Sequence, residues 1–530
     1  MSAQNNKFSI YLPFLFALVL ITGIFLGVRL RSSSIRTDDN KVNDIIRLVK
    51  DNYVDTVSSE ALIGDAVNGM LQALDPHSVY LPASEFKEAN ESLEGNFEGI
   101  GVQFRIENDT IIVVNTVPKG PSEKTGISAG DRIVRINDTC VAKIKITNEQ
   151  VMKKLKGQKG TKVKVGIFRR GVPNLLDFII TRDVIPTYCI DAAYMVQGNI
   201  GYIRLNKFSA STMDEFHQAV SALQNKGMKK LILDLRENGG GYLQSAIDLA
   251  DEFLPDKTLI VYTEGRHRKT QNAYATSKGS LEKCPLVILI DESSASASEI
   301  LAGAIQDNDR GLIIGRRSFG KGLVQEQIKL DDGSAVRLTV SRYHTPTGRC
   351  IQRPYRNGYE KYYLDYYNSL LSDETDSTGT IVLPDSLKYK TPEGKTVYGG
   401  GGIMPDIYVP VKKSRDYLYL NNVSNRGLMY RYAFDYTDKK RDYLKKTYNS
   451  ETFIRTFVIS DNELNDFFVY AGQNGVKRDD KCISATKDVI RLRLKSYIAR
   501  NLFDDEAFYK IINPRDDVFM KALEEMIRTK

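Results

Sequence analysis

Three kinds of hydrophobic pattern follow one another along the 530-residue chain. Phe8 to Val28 is an uncharged, strongly apolar run of about the 20 residues that cross a bilayer. From Asn90 to Asp183, short apolar stretches are separated by Gly- and Asp-containing turns, which predicts a small β-rich domain. From Gly201 to about Pro410, apolar strands alternate with helical stretches, which predicts an α/β core with strands buried on both faces.

The flanking regions have helical spacing. Val42 to Leu81 predicts two short amphipathic helices, and the stretch from Lys413 to Lys530 is mostly helical, charged and rich in Tyr and Phe. A tyrosine cluster at Tyr355 to Tyr367 is interpreted as an insertion near the end of the core. No internal repeat is found.

The pattern also predicts individual elements. The strands are Ile111–Asn115, Arg132–Ile136, Val163–Phe168 and Leu176–Thr181 in the β-rich domain, and Gly201–Leu205, Leu231–Leu235, Leu286–Ile290 and Leu312–Gly315 in the core. The helices of the core are Met213–Leu223, Leu243–Leu254 and Glu299–Ile305, and those of the tail include Val489–Leu502 and Val518–Ile527.

Composition narrows the function classes. The chain is 42% hydrophobic and 26% charged, which is typical of several globular domains. Its net charge of +8 is a small excess of 74 basic over 66 acidic residues, without a Lys/Arg block, so nucleic-acid binding receives little support. The five cysteines form no C-x-x-C pair and the four histidines no H-E-x-x-H motif, so no metal and no cofactor are expected.

The apolar run at the N-terminus is interpreted as an uncleaved membrane anchor. The segment that follows, Arg29-Leu-Arg31-Ser-Ser-Ser, has no convincing A-x-A cleavage signature. Lys7 lies on one side of the run, whereas Arg29, Arg31, Arg36 and Lys41 lie on the other. The positive-inside rule alone would therefore place the body of the protein in the cytoplasm.

Ser296 is the candidate nucleophile. It lies in the segment Asp291 to Ile300, which follows a predicted buried strand and opens a helix. The free backbone amides and the dipole at a helix start stabilise an anion there. A structural alternative is equally physical, because serine is a preferred N-cap and Ser296 with Glu299 has capping-box spacing.

Lys321 is the candidate base. A lysine can accept a proton from serine only where burial lowers its pKa enough to leave a neutral amine. Lys321 lies between two glycines in the segment Ser318 to Gln325, after the strand at Leu312–Gly315. The alternative is an ordinary turn with a solvated lysine.

A glycine-rich loop, Asn238 to Tyr242, follows a predicted strand and precedes a helix, so its amides are candidates for an oxyanion hole. The alternative of a phosphate-binding loop lacks the G-x-x-x-x-G-K-[ST] arrangement. His77, beside the helix breaker Asp75-Pro76, is interpreted as structural and is assigned no chemistry. His344 is the only histidine close to the core motifs.

Taken together, these segments resemble the carboxyl-terminal processing (tail-specific) peptidases, with the lysine 25 residues after the serine. The resemblance runs from about Asp44 to Val411 and includes Leu74–Ser78, Tyr343–Arg349 and Gly402–Asp406. It implies the following roles: Ser296 as nucleophile, Lys321 as general base, Gln325 as the group that orients the lysine, Gly240 or Gly241 with Ala297 as the oxyanion hole, and Glu299 and Asp307 as secondary acidic positions.

The β-rich domain resembles a PDZ domain through Gly126 to Asn137, which is similar to the A-G-x-x-x-G-D-x-I-x-x-I-N core, with Thr125 where that pattern has Ala. The resemblance implies a carboxylate-binding loop, followed by a strand that accepts a peptide tail by β-augmentation. A simple structural hairpin is the alternative. The implied peptide-binding residues are Gly99, Ile100, Gly101, Val102, Gln103 and Phe104.

The implied fold class is a multidomain α/β protein with a ClpP/crotonase-like peptidase core, an inserted PDZ domain, an N-terminal transmembrane helix and a mostly helical C-terminal domain. The predicted boundaries are 1–36 for the tail and anchor, 37–88 for a helical region, 89–183 for the PDZ domain, 184–412 for the core and 413–530 for the C-terminal domain.

The function implied is a serine endopeptidase that cleaves proteins near or from their C-termini, with the PDZ domain capturing the free C-terminus. The resemblance places the catalytic part on the periplasmic side of a bacterial inner membrane, against the charge rule. A homo-oligomer or an adaptor partner is left open. Two rivals are a catalytically silent, membrane-bound PDZ scaffold and a Ser-His-Asp hydrolase, although Ser296 lacks the G-x-S-x-G elbow of the latter.

Overall fold

A computed structural model describes residues 8–33, 41–371, 384–411 and 414–529 of the chain. The chain divides into two compact units, Met1–Leu74 and Asp75–Lys530.

The first unit contains three helices: α1 at Phe8–Ser33, α2 at Lys41–Asn52 and α3 at Ser59–Gln72. The Ser58 side chain caps α3 by accepting the Ala61 amide. The two amphipathic helices predicted after the apolar run are confirmed as α2 and α3. Among the described residues, no helix has the length and apolar character needed to cross a membrane, so the predicted transmembrane helix is not confirmed, although α1 covers that segment.

The β-rich domain lies near the start of the second unit, and its predicted strands are confirmed. Two elements precede the domain, β1 (Val79–Leu81) and α4 (Ala83–Glu94). The elements that follow are β2 (Asn96–Gly99), β3 (Val102–Glu107), β4 (Thr110–Thr116), α5 (Pro121–Lys124), β5 (Arg132–Ile136), β6 (Thr139–Cys140), α6 (Asn148–Leu155), β7 (Lys162–Phe168), β8 (Leu176–Thr181) and β9 (Asp183–Pro186).

An antiparallel sheet in the order β3-β4-β5-β7-β8 forms this domain, with β6 paired to β5. Fully buried Ile111, Val113, Ile133 and Val165 form the centre of its own apolar core. Strands β2 and β9 pair with each other, so the chain enters and leaves the domain side by side. This arrangement lets the domain be inserted without interrupting the fold on either side of it.

The α/β core follows. Its elements are β10 (Ile190–Gln197), β11 (Ile200–Leu205), α7 (Thr212–Gln224), β12 (Lys230–Asp234), α8 (Leu243–Asp251), β13 (Leu259–Gly265), β14 (Arg268–Tyr274), β15 (Leu286–Ile290), α9 (Ala297–Asp307), β16 (Leu312–Gly315), β17 (Leu323–Lys329), β18 (Ala335–His344), α10 (Tyr359–Leu371), β19 (Lys388–Lys390), β20 (Thr396–Tyr398) and β21 (Ile407–Tyr408).

The central sheet has the order β10-β11-β12-β15-β16-β21, and every pair except β10–β11 is parallel. Successive side chains along each strand point to opposite faces of the sheet. Other elements pack on both of these faces. Leu231 and Leu233 pack with helices α7, α8 and α9, whereas Ile232 between them packs in a second cluster on the other face. The prediction of strands buried on both faces is therefore confirmed.

A second, antiparallel sheet runs in the order β1-β18-β13-β14, and β17 pairs with β18. The hairpin of β17 and β18 follows the loop that contains Lys321. Strand β1 lies on β18 with Val79 opposite Arg337, which brings the turn at residues 75–78 beside this hairpin.

The tail is helical, as predicted. Its helices are α11 (Leu418–Asn425), α12 (Leu428–Thr447), α13 (Ser450–Thr456), α14 (Asp461–Gln473), α15 (Asp480–Leu502), α16 (Asp505–Ile512) and α17 (Asp517–Arg528), with 3-10 turns at Arg415–Tyr417 and Asn513–Arg515. Helices α11 to α16 share one apolar core around Leu428, Phe453 and Leu494.

Helix α17 differs from the rest of the tail. Its Phe519 and Ala522 pack with Tyr202, Ile232 and Leu289 on the second face of the central sheet. Helix α17, which the predicted boundaries assign to the C-terminal domain 413–530, therefore packs on the central sheet of the core. The apolar face of α17 could be predicted from the sequence, whereas the surface that it covers could not.

Helix α12 contacts the β-rich domain. The buried ring of Phe434 packs against Ile112 and Val114 of β4, and the guanidinium of Arg105 lies 3.9 Å from the centre of that ring. Arg105 also pairs with Asp435 at 3.3 Å. A cation over an aromatic face and an ion pair thus fasten one face of the small sheet to the helical tail.

We expect Phe519→Ala to lower the free energy of unfolding by about 3–5 kcal/mol, because it removes a fully buried ring between α17 and the sheet. Met520→Ala is the matched control on the same helix, since Met520 is 43% exposed and its loss should cost less than about 0.5 kcal/mol. Urea unfolding measures both. Equal, small effects would show that α17 does not complete the core.

Candidate active site

Ser296 lies between β15 and α9, at the first turn of the helix. Its backbone has φ 55° and ψ −111°, a conformation that is strained for any residue with a side chain. The carbonyl of Asn238 stabilises the segment by accepting the Ala295 amide at 3.0 Å and the Ser298 hydroxyl at 2.9 Å. Such local strain is common where a side chain is held for chemistry.

Glu299 joins the Ser296 and Lys321 segments. Its carboxylate is fully buried, and one oxygen accepts the Ser296 amide at 2.8 Å and the Lys321 amide at 2.9 Å. The other oxygen accepts the Ser318 hydroxyl at 2.6 Å and the Gly320 amide at 2.7 Å. Burial raises the pKa of Glu299. The capping-box contact from Glu299 to the Ser296 amide is therefore present, and it also connects the serine to the lysine.

Tyr343 forms a second connection, which the sequence analysis did not assign. Its buried hydroxyl donates to the Lys321 carbonyl at 2.6 Å and lies 3.3 Å from the Ser296 carbonyl. Burial raises the pKa of Tyr343 well above its usual value, so the hydroxyl keeps its proton and acts as a donor. The only signal in the sequence was its place in the Tyr343–Arg349 motif.

The Lys321 amine is largely withdrawn from solvent, and its Nζ donates to Gln325 Oε1 at 2.9 Å. Burial, together with the nearby charge of Arg337, lowers the pKa of Lys321 to about 8, against the opposing effect of Glu299 and Asp75. No hydrogen bond joins Nζ to Ser296 Oγ within the described part of the chain. Such bonds are commonly long before substrate binds and shorten in the complex.

The glycine loop lies directly against the serine. A Cβ at Gly240 would come within 2.7 Å of the Ala295 carbonyl oxygen and 2.9 Å of the Ala297 nitrogen, so only glycine fits. The Gly240 amide already donates to Asn238 Oδ1 at 2.9 Å, which removes it from the predicted oxyanion hole. Among the described residues, no hydrogen bond engages the amides of Gly241 and Ala297, and these remain the candidates.

A cavity of about 330 Å³ opens beside this loop. Two of its tyrosines come from α10, in the segment that the sequence analysis interpreted as an insertion. A mostly apolar cavity next to Ser296 suits an apolar side chain of a bound chain. The lining residues are His77, Gly239, Ser293, Ala295, Phe319, Lys321, Tyr363 and Tyr366.

Of the two histidines considered above, His77 lines the cavity and His344 does not. His77, which was assigned no chemistry, lines the cavity, and its Nε2 lies 3.2 Å from the Tyr362 hydroxyl. Burial lowers the pKa of His77 to about 4, so the ring is neutral near pH 7. His344 instead stacks on Tyr262 at 4.8 Å and has Nδ1 3.3 Å from the Gly348 carbonyl. The description of His344 as the only histidine close to the core motifs was wrong.

Asp307 has structural contacts. It pairs with Arg349 at 2.6 Å, with both side chains fully buried, and it accepts the Thr347 amide and hydroxyl. None of the contacts of Asp307 in the described chain reaches the serine or the lysine. Of the two predicted acidic positions, only Glu299 therefore lies at the site.

The predicted carboxylate loop connects β2 to β3, and β3 is an edge strand of its sheet. Gly101 has φ 72°, a left-handed conformation that favours glycine. The Ile100 carbonyl accepts both the amide and the hydroxyl of Ser122, which holds the loop. Within the described residues no hydrogen bond engages the amides of Ile100 and Gly101. Gly99, Val102, Gln103 and Phe104 complete the predicted set, with the last three on β3.

Four parts of the chain match known families. Residues 199–358 match Peptidase family S41, and residues 99–179 match the PDZ domain. Residues 29–84 match the activating protease CtpB N-terminal domain, and residues 419–504 match a family of unknown function, DUF8443.

The alignments with curated relatives cover most of the length of those relatives. A carboxy-terminal-processing protease of Bartonella bacilliformis is 38% identical over 63% of this chain and 79% of that protein. The carboxy-terminal processing protease CtpA of Bacillus subtilis is 34% identical over 64% of this chain and 75% of that protein. A solved structure titled photosystem II D1 C-terminal processing protease is 30% identical over 57% of this chain and 88% of that chain, with a TM-score of 0.33.

The sequence relatives and the matched domains define a serine endopeptidase with a PDZ domain. The chain belongs to peptidase family S41, among the carboxy-terminal processing proteases.

Proposed function

We propose that the chain cleaves proteins near their C-termini with Ser296 as nucleophile and Lys321 as general base. The observation that carries this proposal is that one oxygen of the buried Glu299 carboxylate accepts the amides of both Ser296 and Lys321, which holds the two segments together. The lowered pKa of Lys321 supports it. A lysine with a pKa of about 8 is neutral in a useful fraction of molecules near physiological pH.

The chemistry is acyl transfer. The neutral Lys321 amine takes the proton of the Ser296 hydroxyl while Oγ forms a bond to the peptide carbonyl carbon. The amides of Ala297 and Gly241 donate to the tetrahedral oxyanion. The Lys321 ammonium then protonates the leaving amine as the peptide bond breaks, and the neutral amine next activates the water that hydrolyses the acyl-enzyme. Gln325 orients the amine because its Oε1 accepts a hydrogen bond from Nζ.

The cavity beside the glycine loop supplies the pocket for the side chain that precedes the cut bond. Its aromatic walls, Phe319, Tyr363 and Tyr366, favour an apolar residue. No acidic side chain lines it in the described part of the chain, so nothing there recognises a basic residue.

The PDZ domain captures the free C-terminus of the substrate. The amides of Ile100 and Gly101 receive the carboxylate, and the peptide backbone pairs with the open edge of β3. The names of the relatives, which describe carboxy-terminal processing, agree with this role.

We further propose that Phe8–Val28 anchors the enzyme in a bacterial inner membrane with its catalytic part in the periplasm. The uncharged apolar run supports the anchor.

Ser296→Ala and Lys321→Ala should each lower kcat by at least about 10³-fold, because each removes one member of the proton-transfer pair. Cleavage of an unfolded protein with an apolar C-terminal tail measures the loss, and a metal chelator should leave the wild-type rate unchanged. Lys329→Ala, an exposed lysine on the same hairpin, is the matched control and should retain activity. If the folded wild type cuts nothing but binds tail peptides, a PDZ scaffold becomes the better explanation.

Tail capture has its own measurement, made on the Ser296→Ala chain so that the ligand stays intact. A peptide with a free C-terminal carboxylate should bind at least about 10-fold more tightly than the same peptide amidated, because amidation removes charge-assisted hydrogen bonds to the loop amides. Equal affinities would contradict carboxylate capture at the PDZ domain.

For the location, a reporter that is active only outside the cytoplasm, fused after Lys530, should be active. Activity confined to a cytoplasmic reporter at the same position would overturn the periplasmic assignment and favour the orientation that the flanking basic residues indicate.

A further inference from the structure

The turn at residues 75–78 supplies a contact to the active site through its backbone. The Gln325 side-chain amide has an oxygen that accepts hydrogen bonds and a nitrogen that donates them. Its Oε1 accepts from Lys321 Nζ at 2.9 Å, and its Nε2 donates to the His77 carbonyl at 2.5 Å. A carbonyl oxygen can only accept, so it selects the amide nitrogen and leaves the amide oxygen facing the lysine.

The position of that carbonyl depends on Asp75. One carboxylate oxygen of Asp75 accepts the amides of His77 and Ser78, both at 2.8 Å, and the other accepts the Ser78 hydroxyl at 2.6 Å. Asp75 and Ser78 are 6% and 4% exposed, so water competes little for these bonds. An aspartate that accepts the amide two residues on is a standard way of fixing a turn.

The turn is fastened to the strand that lies opposite Gln325. Thr339 of β18 pairs with Gln325 of β17 in the hairpin, and the Thr339 amide donates to Ser78 Oγ at 3.1 Å. Strand β1 continues from the turn along the same β18. The carbonyl of His77 and the amide of Gln325 are thus held against one common strand.

The imidazole of His77 takes no part in this chain of contacts. Its Nε2 faces the Tyr362 hydroxyl, and the ring packs edge-on against Tyr362 at 5.5 Å. The contribution of His77 to the lysine is therefore made by its backbone.

We infer that Asp75 is a positioning residue for the proposed reaction, because its carboxylate fixes the His77 carbonyl that orients Gln325 and, through it, the Lys321 amine. The inference rests on the proposed Ser296/Lys321 mechanism. Asp75 contacts none of the reacting atoms. Its effect on catalysis passes through three successive hydrogen-bonded groups, the His77 backbone, the Gln325 amide and the Lys321 amine.

Asp75 has two effects on Lys321 that can be measured separately: its charge changes the pKa of the amine, and its hydrogen bonds determine how the amine is oriented. Lys321 is faced by Arg337 of β18, which lowers its pKa, and by Glu299 of α9 and Asp75, which raise it. Because the neutral amine is the active form, kcat/KM should rise with pH and reach half its plateau near pH 8. The Asp75 charge raises the pKa of Lys321. Its removal should therefore move the midpoint of the kcat/KM profile to lower pH.

The test is the pH dependence of kcat and KM for the full chain and three single variants. Asp75→Ala should lower the plateau kcat by about 10- to 100-fold with little change in KM, because the amine is misdirected even when neutral. Asp75→Asn should retain most of the plateau kcat, since its amide oxygen can still hold the turn. Its pH midpoint should be lower than that of the wild type, as for Asp75→Ala, because both variants lack the charge. Asp332→Ala is the control, because Asp332 likewise accepts the amide two residues on, that of Ser334, but in an exposed turn at the far end of the hairpin. This variant should match the wild type.

A double variant decides how the effect is transmitted. If Asp75 acts through Gln325, then Asp75→Ala combined with Gln325→Ala should be no slower than Gln325→Ala alone. Losses that multiply, or an Asp75→Ala plateau equal to that of the wild type, would overturn the positioning role. If Asp75→Ala does not fold, Ser78→Ala decides by the same criteria, alone and combined with Gln325→Ala, because it removes the hydroxyl that ties the turn to Asp75 and to Thr339. Wild-type cleavage by Ser296→Ala would overturn the proposed function itself, and this inference with it.

Discussion

The buried carboxylate of Glu299 is the contact on which the geometry of the site depends. An ionised carboxylate has about four lone-pair positions, and Glu299 meets four donors. Two of them are the amides of Ser296 and Lys321, which lie 25 residues apart in the chain. One side chain therefore holds the start of α9, where the serine lies, against the loop between β16 and β17, where the lysine lies.

The same burial that holds the segments together prepares the lysine. Withdrawal from water disfavours the ammonium form of Lys321, whereas the negative charges around it favour that form. The balance leaves a pKa of about 8 rather than a permanently neutral amine. A site that must both accept and return a proton gains from this intermediate value, because neither transfer is strongly uphill.

The sequence predicted the parts of the protein whose signals are local. Apolar runs such as Leu286–Ile290 identified the strands of the core, and family motifs identified Ser296 and Lys321. Contacts between distant segments were not predicted. His77 lies 248 residues from Gln325 in the chain, and no periodicity reports that its carbonyl meets that amide. The engagement of Gly240 by Asn238 was also missed, because a glycine-rich motif does not show which amide is free.

The packing of α17 on the central sheet has a consequence for biosynthesis. Strands β11 and β12 are synthesised long before α17, the helix that covers their second face. Until then Tyr202 and Ile232 have no partner from α17, so the nascent core keeps an apolar surface that chaperones can bind. Completion of the core is thereby delayed until the helical tail has been synthesised.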